Sequence, residues 1–236
     1  MHVHDALRAR GSTRAFLTTP VDLRTVRRIL DVARHAPSGS NIQPWRVHVV
    51  AGPARDALCA AVLSAAAGDG RNAFPWPYNY YPVQWREPYL SRRRACGWGL
   101  YGALGIVRGD RAAIDAQELR NYELFGAPVG LFIFVDADLE IGSWLDCGMF
   151  LQSVMLAAQA EGLATCPQAA WAPFHAIVRA HVGAPERQTL ICGLALGRAD
   201  ADAVVNRFRP DREPVDVFAT FHGFVSQDPV GEEPRG

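Results

Sequence analysis

The chain contains no lysine: all 24 basic residues among its 236 are arginine. That absence excludes a Walker-type phosphate loop, a Schiff-base lysine and a pyridoxal-phosphate anchor. An anion bound here must be met by arginine forks or by backbone N–H groups. An excess of either charge is lacking too, since 24 acidic residues balance the arginines. Proteins that bind nucleic acid or membrane surfaces are usually basic, so neither partner is expected. No apolar run approaches the roughly 20 residues that span a bilayer, and the first residues lack an apolar signal-peptide core. A cytoplasmic location is therefore expected. The five cysteines (Cys59, Cys96, Cys147, Cys166 and Cys192) are scattered and form no C-x-x-C. Neither a disulfide framework nor a zinc site is expected from them. The seven histidines give no H-x-x-x-H or H-E-x-x-H; His2 and His4 sit at what reads as a frayed terminus. No metal is expected.

What is present is enough for a large core: 49% of the residues are hydrophobic. Asp22 reads as an N-cap, followed by Leu23, Val26, Leu30 and Ala33 at helical spacing, with Pro37 as the stop. Residues 45–50 read as a strand and 53–67 as an Ala-rich helix begun by Pro53. Residues 68–90 carry four prolines between 75 and 88 among many aromatics, and read as a loop or lid. Helices are expected over about 90–107 and 111–125, and strands over 130–135 and 188–197. Ser143 with Asp146 resembles a capping box opening a helix, apolar nearly all round, that runs to about Glu161. Pro173 to Val182 reads as a short helix closed by Gly183. With no repeat and no linker, residues 1–226 read as one domain and 227–236 as a disordered tail. Few strands interspersed with helices favour an α/β or α+β sandwich with a small sheet.

Gly97-Trp-Gly-Leu-Tyr-Gly102 matches G-x-G-x-x-G, but no buried strand precedes it and no acidic residue follows at the required distance. It reads as a helix whose glycines permit close packing. Two other stretches carry more chemistry. Arg10-Gly-Ser-Thr-Arg14 sets two arginines and two hydroxyls just ahead of Phe16, a donor set suited to phosphate. Pro37-Ser-Gly-Ser-Asn-Ile-Gln-Pro-Trp45 strings small polar residues between a helix and a strand. The connecting helix, of roughly 14 residues, rises about 21 Å. The two stretches either meet the ends of one elongated ligand or fold back to one site.

Arg10-x-Ser12-x-Arg14-x-Phe16 followed by Pro37-Ser38-x-x-Asn41-x-Gln43-Pro44-Trp45 resembles the FMN-dependent nitroreductase family. So do Ala127–Gly130, Gly162–Ala169, Leu194–Gly197 and Asn206–Pro214, in the family's order and over nearly the whole chain. The resemblance is strongest to the branch that reduces nitrobenzoates and related nitroaromatics. It implies an α+β fold: an α-β-α sandwich with a small central mixed or antiparallel sheet and a C-terminal arm. It also implies a homodimer with FMN at the interface. Arg10, Ser12 and Arg14 correspond to phosphate and ribityl contacts. Pro37, Ser38, Gly39, Ser40, Asn41 and Gln43 would approach the flavin of the partner subunit. Asn121 would meet its polar edge, Pro167, Gln168 and Ala169 would lie by N5, and Arg212 with Arg209 would return to the phosphate. No side chain is implied as acid or base. Trp76, Tyr80, Tyr81 and Phe74 are candidate substrate contacts, with a dimer contact as the alternative.

The implied reaction uses NADH or NADPH as reductant and a nitroaromatic or quinone-like compound as acceptor. It proceeds by two-electron ping-pong steps from nitro to nitroso to hydroxylamine. Alternatives are another redox reaction on the same fold (dehydrogenation, enone reduction or dehalogenation) and a non-catalytic flavin-sequestering protein. Two positions depart from the family pattern. Gly11 stands where many members have a second basic residue, which implies weaker phosphate binding, and Arg198 stands where an aromatic is expected.

Overall fold

The computed structural model describes residues 1–68, 70 and 73–224; the 227–236 tail lies outside the described residues. Four strands, β1 (Arg46–Ala51), β2 (Val129–Asp136), β3 (Ala164–Gln168) and β4 (Gln188–Gly197), form one sheet in the order β1-β2-β4-β3. Every pairing is antiparallel. Strand β2 is buried along nearly its whole length because both faces are covered. Val129, Leu131 and Ile133 point into one apolar cluster, with Leu194 and Leu196 of β4. That cluster packs against α2 (Leu23–Ala33) and α6 (Ile141–Ala160) through Val26, Ile29, Phe150, Val154 and Ala158. Phe132 and Phe134 point the other way, into a cluster with Leu58 and Val62 of α3 (Gly52–Gly68) and Val178 of α7 (His175–Val182). The period-two alternation of a strand thus builds both cores at once. The result is the expected α-β-α sandwich.

Local chemistry sets most element ends. Asp22 accepts the Thr25 N–H at 2.9 Å and caps α2 as expected. Gly183, at φ 67°, closes α7 in the left-handed conformation that favours glycine. Before α2 comes α1 (Val3–Ala9), so the N-terminus expected to fray is helical, with His2 Nδ1 accepting the His4 N–H. Beyond α3 the aromatic segment forms no helix or strand among its described residues up to Pro88. Helices α4 (Tyr89–Ala103) and α5 (Arg111–Leu119) follow. The helix expected to reach 125 ends at Leu119, and the chain tightens into a 3-10 turn over Arg120–Gly126. Leu124 and Phe125 adopt φ 54° there, and complete burial of both side chains compensates that strain. The capping box at Ser143 is not formed. Helix α6 begins two residues earlier, and Ser143 and Asp146 are buried within it. By length and mean hydropathy α6 could cross a bilayer; here it packs beside α2 on the sheet.

Strand β3, a short edge strand, was not among the strands expected. Its Pro167 lacks an N–H, which an edge tolerates. From Ala199 the chain runs as an arm with 3-10 residues Val204–Arg207 and a single helical turn α8 (Val215–Phe218). Phe218, Phe221 and Phe224 of this arm are exposed.

Candidate functional site

The Arg10–Arg14 segment adds itself to the free edge of β3. Ser12 bridges Thr165 in parallel, and the Thr13 N–H donates to the Thr165 carbonyl at 3.0 Å. Asn206 then clips the C-terminal arm onto the segment. Its Oδ1 accepts the N–H groups of Arg14 (2.8 Å) and Ala15 (3.2 Å), and its Nδ2 donates to the carbonyls of Ala15 and Asp200, both at 2.8 Å. Three of these hydrogen bonds join two chain segments about 190 residues apart, and the fourth, to Asp200, stays within the arm. Nothing in the local sequence distinguishes this asparagine from a turn residue, and the sequence reading assigned it no role. The clip brings Arg209 and Arg212 beside Arg10.

The result is a groove of about 550 Å³ lined by Arg10, Gly11, Ser12, Arg14, Arg209 and Arg212. Arg8 lines it too, and among the described residues none of the five arginines pairs with a carboxylate. Arg14 donates to the Ser12 carbonyl at 3.2 Å, and Arg212 to the carbonyls of Pro210 and Asp211. Burial, then the charges of Arg212 and Arg209, push the Arg10 guanidinium below its ordinary pKa. Beneath the groove, burial pushes the Cys166 thiol up to about 11, against the opposing pull of Arg14 and Ser12. It is neutral at pH 7 and supplies no counter-charge. A cation cluster with no internal anion is an anion site. Gly11 has its own part in it. A Cβ built there would overlap the Arg209 guanidinium, so the missing side chain makes room for Arg209. The space where many family members carry a basic side chain is taken here by the Arg209 guanidinium.

Along β3, three residues and roughly 10 Å from Thr165, lies Gln168, almost fully buried. Its Nε2 donates to the Asn121 carbonyl (2.8 Å) and to Asn121 Oδ1 (3.2 Å), while Asn121 Nδ2 donates to the Glu118 carbonyl at 3.0 Å. Gln168 Oε1 is buried with no hydrogen-bond partner among the described residues. An orphaned buried acceptor is costly unless a ligand donor meets it. The anion groove and this polar pair, on one strand, fit FMN, with the phosphate among the arginines and a polar ring edge towards Asn121 and Gln168. Pro167 and Ala169 flank Gln168 and are half-buried.

The Pro37–Trp45 stretch is not brought to this groove in the same chain. It enters β1 at Arg46, which is level with Leu190 of β4, whereas Thr165 is level with Leu196. The offset is about 20 Å along the strands and about 15 Å across them. Residues 39–43 are exposed at that far corner. Ser38 Oγ accepts the Gln43 N–H, Gln43 Nε2 donates to the Asn41 carbonyl, and the Gly39 N–H reaches Asp146.

The aromatic segment divides. Phe74 packs on Phe174 in the core, with ring centroids 4.6 Å apart. Trp76 stacks on Tyr80, which meets Tyr81, and Tyr81 meets Trp85. Arg93 lies over both Tyr81 and Trp85. Trp76, Tyr80 and Tyr81 are exposed. Tyr78 anchors the series: its hydroxyl donates to the carbonyl of Ile191, which the register shift in β4 frees from the ladder. The Gly97–Gly102 motif falls inside α4, where a Cβ on Gly99 would come within 2.6 Å of Phe208. Its glycine serves helix packing.

The sequence model of the nitroreductase family matches residues 7–198. The chain is 39% identical to 4-nitrobenzoate reductase of Pseudomonas putida over 216 residues, which cover 92% of this chain and 93% of that one. It is 37% identical to chloronitrobenzene nitroreductase of Comamonas testosteroni, over 93% of this chain and 96% of that one. Among solved structures, the FMN and NADPH-dependent nitroreductase NfnB from sphigopyxis sp. strain HMH superposes with a TM-score of 0.92. That match has 43% identity and covers 95% of this chain and 100% of that one.

Proposed function

The chain belongs to the nitroreductase family, and we propose that it is an FMN-dependent NAD(P)H reductase of nitroaromatic compounds working as a homodimer. One observation carries the cofactor assignment: five arginines with no carboxylate partner among the described residues line a groove on the same strand as the orphaned Gln168 Oε1. FMN, when bound, supplies two-electron chemistry between the reduced nicotinamide and the nitro group. The chain's residues bind and orient. Arg10, Ser12, Arg14, Arg209 and Arg212 hold the phosphate, while Asn121, Pro167, Gln168 and Ala169 present polar groups to the ring. Trp76, Tyr80 and Tyr81 offer faces on which a flat aromatic acceptor stacks, with Arg93 adding positive charge for substituents such as carboxylate.

The homodimer rests on two supports. The chain exposes 14702 Å², against about 10,500 Å² for a compact monomer of 25.8 kDa. A surplus of that kind suits a surface covered by a second copy. The second support is the 37–43 loop, whose polar groups lie too far from their own chain's groove to share its ligand. A second copy is the economical recipient, with Pro37, Ser38, Gly39, Asn41 and Gln43 closing the partner's site. The five cysteines are free, which suits a reducing, cytoplasmic compartment.

The test is the visible spectrum of the purified protein under nitrogen, before and after NADH or NADPH. A yellow protein that bleaches, and regains its colour on adding 4-nitrobenzoate, is the expected result. A protein that cannot be loaded with FMN refutes the assignment, and one that stays yellow with both nucleotides is no reductase.

A further inference from the structure

We infer that Asp146 is the positioning residue that holds the 37–43 loop in its site-forming shape, an inference that rests on the loop's proposed contact with FMN. The loop's backbone is unusual. Ser40, Asn41 and Gln43 have φ of 48°, 57° and 49°, three left-handed residues in four positions with no glycine among them. Residues with a Cβ avoid that region, Asn least of all. Burial does not offset the strain, because residues 39–43 are exposed. A strained, solvent-facing conformation persists only when something outside it fixes it.

The bonds inside the loop move with it and fix nothing. Among the described residues, the Gly39 N–H makes the only hydrogen bond joining residues 37–43 to a part of the chain outside 37–46. It donates to both carboxylate oxygens of Asp146, at 3.3 and 3.2 Å. Asp146 is 6% exposed and lies on the body of α6. A buried carboxylate in a helix that needs no cap is costly to the fold alone, and its hydrogen bonds among the described residues all serve the loop. Four residues on, on the same face of α6, Phe150 stacks with Trp45 at 4.7 Å and 10°. One helix face therefore grips the stretch at both ends, by charge at Gly39 and by ring stacking at Trp45. The residue that resembled a capping-box partner in the sequence acts on a loop 107 positions away.

The experiment uses the full-length protein carrying Asp146→Ala or Asp146→Asn. Amide hydrogen exchange over residues 37–45 is followed without FMN, and FMN affinity by flavin fluorescence. With Asp146→Ala, exchange in that peptide should accelerate at least tenfold and the FMN Kd should rise about tenfold, with the melting temperature little changed. Asp146→Asn keeps an oxygen for the Gly39 N–H and should restore both to within about threefold of the parent. Unchanged exchange in Asp146→Ala overturns the inference. So does a loosened loop with undiminished FMN affinity, or an Asp146→Asn protein as defective as Asp146→Ala. If Asp146→Ala does not fold, Gly39 amide exchange in Asp146→Asn decides: protection kept supports the hold, protection lost overturns it. A parent protein that takes up no FMN refutes the proposed function instead, and the exchange comparison still decides whether Asp146 holds the loop.

Discussion

Replacing Gly11 with alanine should leave the fold intact and damage the anion groove. The added Cβ would overlap the Arg209 guanidinium, with Cζ 2.7 Å away. That guanidinium is the far end of a flexible, exposed side chain, so it swings out and the backbone stays. Gly11 has no positive φ in the structure, so alanine fits its backbone. The loss of unfolded-chain entropy should then stabilise the protein by about 0.4–1 kcal/mol. The groove loses one charge-assisted contact to phosphate, worth about 1.5–3 kcal/mol. That corresponds to roughly a 10- to 150-fold rise in the FMN Kd. The assay is titration of FMN into stripped protein, read by quenching of flavin fluorescence, for Gly11→Ala, Arg209→Ala and the double variant. Because both single changes remove the same contact, the double variant should bind about as weakly as either one. The coupling should shrink in high salt. Losses that add, or a Gly11→Ala protein binding FMN as tightly as the parent, would show that Arg209 does not act through the space at position 11.

Arg10→Ala should raise the FMN Kd by a similar 10- to 100-fold, since a partly buried guanidinium facing an anion is worth about 1.5–3 kcal/mol; unchanged fluorescence quenching removes Arg10 from the phosphate contacts. Tyr78→Phe deletes the hydroxyl that satisfies the freed Ile191 carbonyl and should cost about 1–2 kcal/mol, or roughly 2–8 °C in Tm for a chain of this size. A calorimetric Tm within 1 °C of the parent sinks that account. Alkali should also destabilise the protein. Burial pushes Cys59 and Cys166 up to about 11, and Cys147 and Cys192 to about 12, from an ordinary 9.0. A raised folded pKa is a contribution fully present below pH 9 and lost as pH rises from 9 towards 11–12, where only the unfolded thiols ionise. The urea midpoint should be flat from pH 7 to 8.5 and fall steeply above 9; a flat profile to pH 10.5 refutes it.

The elements that the sequence announced are those whose cause is local. Asp22 with Thr25 starts α2, Gly183 ends α7, and continuous apolar runs give β2 and β4 to within a residue or two. The misreadings have a common origin in tertiary structure. Ala164–Gln168 carries no strand signal of its own; it is a strand because β4 and the Ser12 segment lie on either side of it. The turn at 120–126 breaks α5 because Leu124 and Phe125 find more burial by leaving the helix. Asp146 looked local and is not.

The site follows the same division, and that explains why its motifs could be read while its geometry could not. Arginine and hydroxyl clusters declare an affinity for anions wherever they fall, so Arg10–Arg14 was legible as residue types, whereas Arg209 and Arg212 entered only through the family resemblance. That they form one groove depends on Asn206, three of whose hydrogen bonds cross about 190 residues. That the 37–43 loop lies far from its own chain's groove depends on strand register, since six residues of offset along β4 carry it to the opposite corner of the sheet. Of the two arrangements the sequence left open, the register disfavours a fold-back onto one site within a chain. It leaves a ligand long enough to cross the sheet, or two chains completing each other. The surplus of exposed surface supports the second, the homodimer proposed above. A ligand reaching across the sheet would cover only a narrow strip, whereas a second copy would cover the loop, the arm and the apolar side chains they expose together.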